Sequence, residues 1–283
     1  MRRPSVVAGS FYPSNPEKLV ELIRECFTHP LGPGKLPEDP FKSLDNSLLG
    51  VVVPHAGYVY SGPVAAHAYY ELSKRRVPEA IVIVGPNHTG MGTALSTMIG
   101  GVWETPLGDV KVREDVAKFL VQECEYLDID PSALLYEHSI EVQLPFIQFI
   151  YSRRPPPIVP IVMSLQSPEI ARSLAKALIE ALNRWDLVIV ASSDWTHYEP
   201  YEEAHRKDSL ALRCVEALDG DCLFNTVEKL GLTACGYGAV ATLLYTAREL
   251  RCRAKILSYA TSGDVTGMKH SVVGYAAAAV YRC

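Results

Sequence analysis

The sequence predicts an α/β fold: one three-layer domain over residues 1–283, with a central mostly parallel or mixed sheet and helices on both faces. Short, unbroken apolar runs recur along the chain, and such runs are typical of strands buried on both faces of a sheet. Segments with helical periodicity alternate with these runs from residue 49 onward. There is no internal repeat and no clear internal boundary, so a single domain is expected.

The strands are predicted from the apolar runs and the helices from periodicity and capping residues. Asn15 before Pro16 and Ser167 before Pro168 are good N-caps, Ser61 is expected to cap a helix from Pro63, and Pro145 should kink a helix or mark its start. The predicted strands are Leu49–Val53, Ala80–Val84, Ala94–Ile99, Ile158–Met163, Leu187–Ala191, Lys255–Tyr259 and Val272–Val280. The predicted helices are Pro16–Phe27, Pro63–Lys74, Arg113–Cys124, Ile140–Ile150, Pro168–Asn183, Tyr201–Leu218 and Ala239–Leu250.

The composition is that of an ordinary globular protein, with 48% hydrophobic and 21% charged residues. The net charge is −5 and there is no basic block, so nucleic acid is not expected as a partner. The N-terminus has no long apolar stretch typical of a signal peptide, and no apolar run reaches membrane-spanning length. We therefore expect no membrane association and a cytoplasmic location.

The seven cysteines are scattered and form no CxxC pair. This argues against a disulfide framework or a zinc ribbon, and most of them are expected to be small buried residues. The hypothesis of a disulfide among them stays open if the source is a hyperthermophile.

Residues with metal-binding or acid–base chemistry follow three of the predicted strands. His55 comes directly after Leu49–Val53 and Pro54, His88 follows Ala80–Val84, and Asp194 and His197 follow Leu187–Ala191. In open α/β sheets, ligands bind at the carboxyl ends of the strands. The spacing of His55 and His88 is about one strand–helix–strand unit, so their strands could be neighbours. Cys235 precedes a predicted helix, whose dipole would stabilise a thiolate.

Each of these residues also has a purely structural interpretation, such as a loop hydrogen bond or close packing beside a glycine. Taken together they favour one site. Two imidazoles and a thiolate match zinc, copper or ferrous iron, whereas two imidazoles and a carboxylate from Asp194 or Glu141 match non-haem iron. The residues alone leave this third ligand open. His197 or His138 could act as a general acid–base. A nucleophilic Cys235 is a weaker hypothesis, because it leaves the other histidines unexplained.

The motifs of this chain, in order, are AGSFYP, PHAGYVYSG, GPNHTG, EHSIEVQLPF, SSDWTHY and ACGYGA. This combination resembles the Memo family, also called AmmeMemoRadiSam system protein B, over nearly the whole chain. That family is similar in fold to class III extradiol ring-cleavage dioxygenases, whose iron is held by two histidines and a carboxylate.

The resemblance implies that His55, His88 and Cys235 are the metal ligands. It also implies that His197 and Asp194 line the same pocket as catalytic residues, with His138 nearby. A thiolate in place of the dioxygenase carboxylate argues against ring cleavage, because sulfur shifts the preference toward copper(I) or zinc and is itself oxidisable.

Two functions are therefore expected. The first is a metal-dependent redox protein with iron or copper, zinc being the alternative, acting on an unknown small molecule. The second is a non-catalytic module that binds a peptide or protein in the same pocket. The family name also implies AMMECR-type and radical SAM proteins as partners.

Overall fold

The computed structural model describes residues 1–283 and confirms the predicted α/β class. A nine-stranded mixed sheet lies at the centre, and a small three-stranded sheet is formed by β1, β5 and β6. The strands are β1 (Arg2–Arg3), β2 (Leu48–Val53), β3 (Ala80–Pro86), β4 (Leu95–Thr97), β5 (Val102–Thr105), β6 (Gly108–Lys111), β7 (Leu127–Ile129), β8 (Ile158–Met163), β9 (Leu187–Ser192), β10 (His197–Glu199), β11 (Arg253–Thr261) and β12 (Val272–Tyr281).

Helices connect most of these strands. They are α1 (Pro16–Thr28), α2 (Tyr58–Ser73), α3 (Glu114–Glu123), α4 (His138–Glu141), α5 (Leu144–Ile150), α6 (Pro168–Leu182), α7 (Tyr201–Glu216), α8 (Gly220–Leu230), α9 (Tyr237–Glu249) and α10 (Ser262–Thr266). None of them is long and apolar enough to cross a membrane.

The large sheet runs in the order β10-β12-β2-β9-β3-β8-β4-β7, and β11 pairs with β12 on the side opposite β2. The four central strands β2, β9, β3 and β8 are parallel, so their carboxyl ends meet at one edge. β12 is antiparallel to β2, and its beginning therefore lies at that same edge.

The sheet is buried on both faces, which explains the unbroken apolar runs. Leu49 and Val52 of β2 belong to one apolar cluster, together with residues of α3 and α6–α9. Val51 and Val53 belong to a second cluster, with residues of α1, α2 and α5. Side chains of this one strand thus contribute to two separate cores, as a three-layer fold requires.

Helix α2 begins earlier than predicted. The sequence predicts a start at Pro63 behind a Ser61 cap, whereas α2 begins at Tyr58 and contains Pro63 in its interior. The Tyr58 N–H donates to the Phe11 carbonyl (2.8 Å), and the Tyr58 hydroxyl donates to the Val142 carbonyl (2.7 Å). These tertiary contacts hold the first turn in place although proline removes a helical hydrogen bond.

Three further local predictions need correction. The single helix expected over Ile140–Ile150 is two short helices, α4 and α5, and Pro145 lies in the first turn of α5. The segment after Leu218, where no helix is predicted, contains α8 with Asp219 as its N-cap. The segment between β11 and β12, where no helix is predicted, contains the short helix α10.

A disulfide joins Cys214 of α7 to Cys222 of α8. The other five cysteines are free thiols. The chain therefore has one disulfide between adjacent helices rather than a framework.

Candidate metal centre

Three donor groups meet at the carboxyl edge of the sheet. His55 follows β2, His88 follows β3, and Cys235 lies just before α9. One ligand atom of each lies within 4.8 Å of the others, and the His55 Nε2 is 3.2 Å from the Cys235 Sγ. The structure thus brings together the two histidines and the cysteine that the sequence suggests.

The two histidines do not lie on neighbouring strands. β9 is inserted between β2 and β3 and pairs with both. The prediction of a shared sheet edge is confirmed, but the suggested adjacency is wrong. The consequence is that Ser192, the last residue of β9, and Asp194, two residues further on, lie between the two histidines.

The ring of His55 is held in one tautomer. Its Nδ1 is 2.8 Å from the Ser192 Oγ, and the hydroxyl hydrogen of Ser192 is directed to the Ser139 carbonyl (2.8 Å). The Gln143 side-chain amide also donates to the Ser192 Oγ (2.9 Å). The hydroxyl therefore acts as an acceptor toward His55, so the Nδ1 carries the hydrogen and the Nε2 lone pair faces Cys235.

His88 is oriented in the same way by a buried carboxylate. Its Nδ1 is 2.8 Å from the Glu137 Oε1, which also accepts the Ser139 N–H (2.8 Å). The other Glu137 oxygen accepts the His88 backbone N–H. Burial would raise the pKa of Glu137, but its bonds to His88 outweigh burial and lower it to about 2. A carboxylate behind an imidazole is the usual support of a metal-binding histidine, and it leaves the Nε2 free.

His138 stacks against this pair. Its ring centre is 4.4 Å from that of His88 and 5.5 Å from that of His55, and Phe11 of the N-terminal arm packs on it at 4.9 Å. Burial, followed by the nearby His88, lowers the pKa of His138 to about 4. Burial is also the main cause that lowers the pKa of His55, with the three other histidines adding to it. Both imidazoles are therefore neutral at physiological pH.

The environment of Cys235 differs from the sequence-based expectation. Burial, followed by the Asp194 charge, raises the pKa of the thiol, so the dipole of α9 does not produce a free thiolate. The Asp194 N–H points at the Sγ (3.3 Å). In the metal-free chain the thiol hydrogen can bridge to the His55 Nε2, and a cation would take its place.

The turn that carries Cys235 is tightly held. Gln166 accepts from the Gly238 N–H and donates to the Cys235 carbonyl, both at 2.7 Å. A Cβ at Gly236 would lie 2.2 Å from the Ser192 carbonyl oxygen, so only glycine allows the turn to approach β9 this closely.

Asp194 and His197 line the same edge. The Asp194 carboxylate accepts the His55 backbone N–H (2.8 Å), and burial raises the pKa of this carboxyl to about 6 although that bond opposes it. The His197 Nδ1 is 2.8 Å from the Thr233 carbonyl oxygen, which leaves its Nε2 free. His197 lies close enough for its charge to lower the pKa of both His55 and Asp194.

Glu141, the other carboxylate considered as a third ligand, lies elsewhere. It forms a fully buried ion pair with Arg3 and accepts the Tyr12 hydroxyl (2.6 Å) and the Val6 N–H. Its role is to anchor the N-terminal arm, which carries Phe11 to His138.

Four residues that support the donors are not predicted from the sequence: Glu137, Gln143, Gln166 and Ser192. Glu137 and Gln143 lie inside the EHSIEVQLPF motif, and Ser192 begins SSDWTHY, so their position in the motifs is the signal that could have found them. Gln166 has no signal except that it follows a buried strand.

A second group of potential donors, His88, Glu137 and His138, overlaps the first. Glu137 already accepts three N–H groups, so it is engaged in holding the loops. A surface groove of about 740 Å³, lined by Arg24, Phe149 and Arg153 among others, contains no histidine. The group of His55, His88 and Cys235 is therefore the better candidate, and its two imidazoles and one sulfur suit zinc, copper or iron.

Fold and site together define an α/β protein with a His/His/Cys group that could hold a metal ion at the carboxyl edge of its sheet. Comparison with known sequences gives the family. Residues 2–279 match the family model described as Memo-like protein. A MEMO1 family protein of Sulfurisphaera tokodaii is 47% identical over 278 residues, covering 97% of this chain and 98% of that protein.

Two further relatives carry the same description. The MEMO1 family protein of Saccharolobus solfataricus is 47% identical over 281 residues, covering 98% of this chain and 99% of that protein. The one of Sulfolobus acidocaldarius is 48% identical over 278 residues, covering 97% and 98%. The chain belongs to the Memo family.

Proposed function

We propose that the chain is a cytoplasmic metal-dependent redox protein in which His55, His88 and Cys235 hold iron or copper, with zinc as the alternative. The observation that carries the proposal is the convergence of three donor atoms within 4.8 Å. Both imidazoles have their Nδ1 bound to a protein acceptor, which leaves both Nε2 atoms available.

The residues around these donors have distinct roles in the proposal. Asp194 holds the His55 backbone and shields one side of the pocket, while His197 presents its free Nε2 as an acceptor or donor of a proton. His138, with Phe11 packed on its ring, stacks against His88 on the other side. A bound iron or copper ion would supply electron transfer or Lewis acidity there.

The donor set bears on the choice of metal. A thiolate favours copper(I) or zinc over a hard cation, and two imidazoles are acceptable to iron, copper and zinc alike. The partnership with AMMECR-type and radical SAM proteins stays a prediction of the family resemblance.

The second candidate, a non-catalytic module that binds a peptide or protein, is favoured by exposed apolar side chains around the same edge. Val59 and Tyr60 lie in the first turn of α2, and Tyr198 follows His197; they are 58%, 43% and 77% exposed. Such a module should keep its affinity for a partner when His88 and Cys235 are replaced.

The deciding experiment is anaerobic titration of the metal-free chain with Fe(II), Cu(I) and Zn(II), followed by exposure to oxygen. The same titrations are made on His88→Ala and Cys235→Ser, with His270→Ala and Cys252→Ser as controls that change the same residue types outside the donor group. One-to-one binding that is lost only in the first pair, with oxygen consumption, supports the proposal. Binding that is unchanged in that pair would overturn it and favour the binding module.

A further inference from the structure

Gln143, between α4 and α5, places its side-chain amide behind His55. Gln143 is only 1% exposed, and its amide nitrogen donates to the Pro54 carbonyl (3.1 Å) and to the Ser192 Oγ (2.9 Å). Pro54 is the residue before His55, and Ser192 is the hydrogen-bond acceptor for the His55 Nδ1. One amide group therefore holds both the backbone that carries His55 and the partner of its imidazole.

The orientation of this amide is fixed by its surroundings. The Pro54 carbonyl and, at 3.4 Å, the Ser139 carbonyl lie beside the amide nitrogen, and both can only accept hydrogen bonds. A flipped amide would bring its oxygen against these two carbonyl oxygens and lose both bonds. The nitrogen of Gln143 therefore faces Pro54 and Ser192, and the amide oxygen faces away from His55.

Tyr69 of α2 binds that amide oxygen. Its hydroxyl donates to the Gln143 Oε1 (2.5 Å), lies 3.3 Å from the Gln143 backbone carbonyl, and bonds no other residue. Tyr69 is fully buried, and its ring stacks on Phe146 with 4.7 Å between the ring centres. Burial raises the pKa of Tyr69 well above its usual value, so the hydroxyl keeps its hydrogen. Gln143 is thus the hydrogen-bonded link between Tyr69 and the candidate metal centre.

The hydrogen bonds of this buried network are complete. The Ser192 hydroxyl donates to the Ser139 carbonyl (2.8 Å) and accepts from Gln143 and His55, which uses its one hydrogen and both lone pairs. A fully satisfied buried network holds its members in one arrangement, and removal of one member leaves the others with unpaired groups. Without the amide, the Pro54 carbonyl loses its side-chain partner and the loop of His55 is free to shift.

We propose that Gln143 is a positioning residue for His55, and that Tyr69 acts on His55 only through Gln143. Neither residue is a candidate ligand; together they hold the His55 imidazole where it meets His88 and Cys235. The inference rests on the proposed metal centre and names two residues outside the donor group that set its affinity. Their effects on metal binding are not additive, because the bond from Tyr69 matters only while the amide is present.

The test is a double-mutant cycle on the full chain with Tyr69→Phe, Gln143→Met and the double variant. Zn(II) affinity is measured by competition with a chromophoric chelator, and Co(II) is bound to the same samples because its visible absorption reports ligand geometry. Gln143→Met should bind Zn(II) about 10- to 100-fold more weakly, the usual effect of removing a group that supports a metal ligand. Tyr69→Phe should bind about two- to tenfold more weakly, the range of one net hydrogen bond. The double variant should match Gln143→Met alone in affinity and in its shifted Co(II) absorption.

Gln148→Met and Tyr151→Phe are the matched controls. Gln148 is a buried glutamine of α5 that bonds the β5–β6 hairpin, and the buried Tyr151 hydroxyl bonds the Leu72 carbonyl. Both controls should keep the Zn(II) affinity and the Co(II) absorption of the wild type. The inference is overturned if Gln143→Met or Tyr69→Phe binds as tightly as the wild type, if the two losses add in the double variant, or if a control loses as much affinity. The Tyr69→Phe result decides the matter should Gln143→Met not fold.

NMR of the ¹⁵N-labelled, metal-free chain separates failure of this inference from failure of the proposed function. The buried Nδ1 hydrogen of His55 should give an imidazole signal, assigned by its loss in His55→Gln, and should exchange faster with water in Gln143→Met than in the wild type. A wild type that binds neither Zn(II) nor Co(II) refutes the metal centre, and the exchange rates then decide the positioning role by themselves. Equal exchange in the wild type and Gln143→Met, or no such signal in the wild type, refutes that role.

Discussion

Replacing Glu137 by glutamine tests whether the buried carboxylate prepares His88 for a metal. The two carboxylate oxygens accept three N–H groups, from the His88 ring, the His88 backbone and the Ser139 backbone. A glutamine has the same shape, but one oxygen becomes an NH₂ group that faces at least one of these donors. The imidazole then loses either its acceptor or the fixed position of its backbone.

The expected loss in metal affinity is 10- to 100-fold, the usual effect of removing such a supporting group, or about 1.4–2.7 kcal/mol. It is measured by competition of the metal-free chain with a chromophoric chelator for Zn(II). Asp186→Asn is the control, because Asp186 also binds two basic side chains, Arg75 and Arg76, away from the histidines. It should change stability and leave metal affinity unchanged. Wild-type affinity in Glu137→Gln, or an equal loss in Asp186→Asn, would refute the reasoning.

Three other outcomes follow from the same structure. Gly236→Ala should lower the free energy of unfolding by about 1–3 kcal/mol, because the new Cβ overlaps the Ser192 carbonyl. Urea unfolding measures this change, and an unchanged unfolding midpoint would contradict the prediction. Replacing Cys214 and Cys222 by serine should lower the free energy of unfolding by about 2–3 kcal/mol, because the unfolded chain gains conformational entropy without the cross-link. Reduction of the wild type should lower the unfolding midpoint in the same way. Equal midpoints before and after reduction would argue against the disulfide. The pKa of Glu137 falls from the usual 4.5 to about 2 on folding. The ionised carboxylate therefore adds up to about 3 kcal/mol to the free energy of unfolding above pH 4.5, and this stabilisation is lost as the pH falls toward 2. Acid unfolding of Glu137→Gln should therefore be less steep over that range, and a curve parallel to the wild type would contradict this.

Elements defined by local sequence could be predicted closely. Asn15 and Ser167 cap α1 and α6 as expected, since a cap depends only on residues within one turn. β8 has the predicted bounds because proline and polar residues flank its apolar run. Helix α8 also had local signals, with Asp219 at its N-cap and Gly231 in a left-handed conformation at its end, and these were overlooked.

Features fixed by tertiary contacts could not be predicted. The start of α2 depends on Tyr58 reaching Phe11 and Val142, which are distant in the chain. The same is true of the candidate site. The strand ends indicate His55 and His88, but their Nδ1 partners, Ser192 and Glu137, are 137 and 49 residues away along the chain. No periodicity or spacing carries that information.

The insertion of β9 between β2 and β3 determines the order in which the candidate site can assemble during synthesis. The first two donors, His55 and His88, leave the ribosome early, but the strand that aligns their loops is only complete at Ser192. Cys235 follows later still, and its turn is then clamped against β9 through Gly236 and Ser193 (3.0 Å). A nascent chain therefore displays two unaligned imidazoles until most of the domain has emerged, and the three candidate donors come together only in the finished fold.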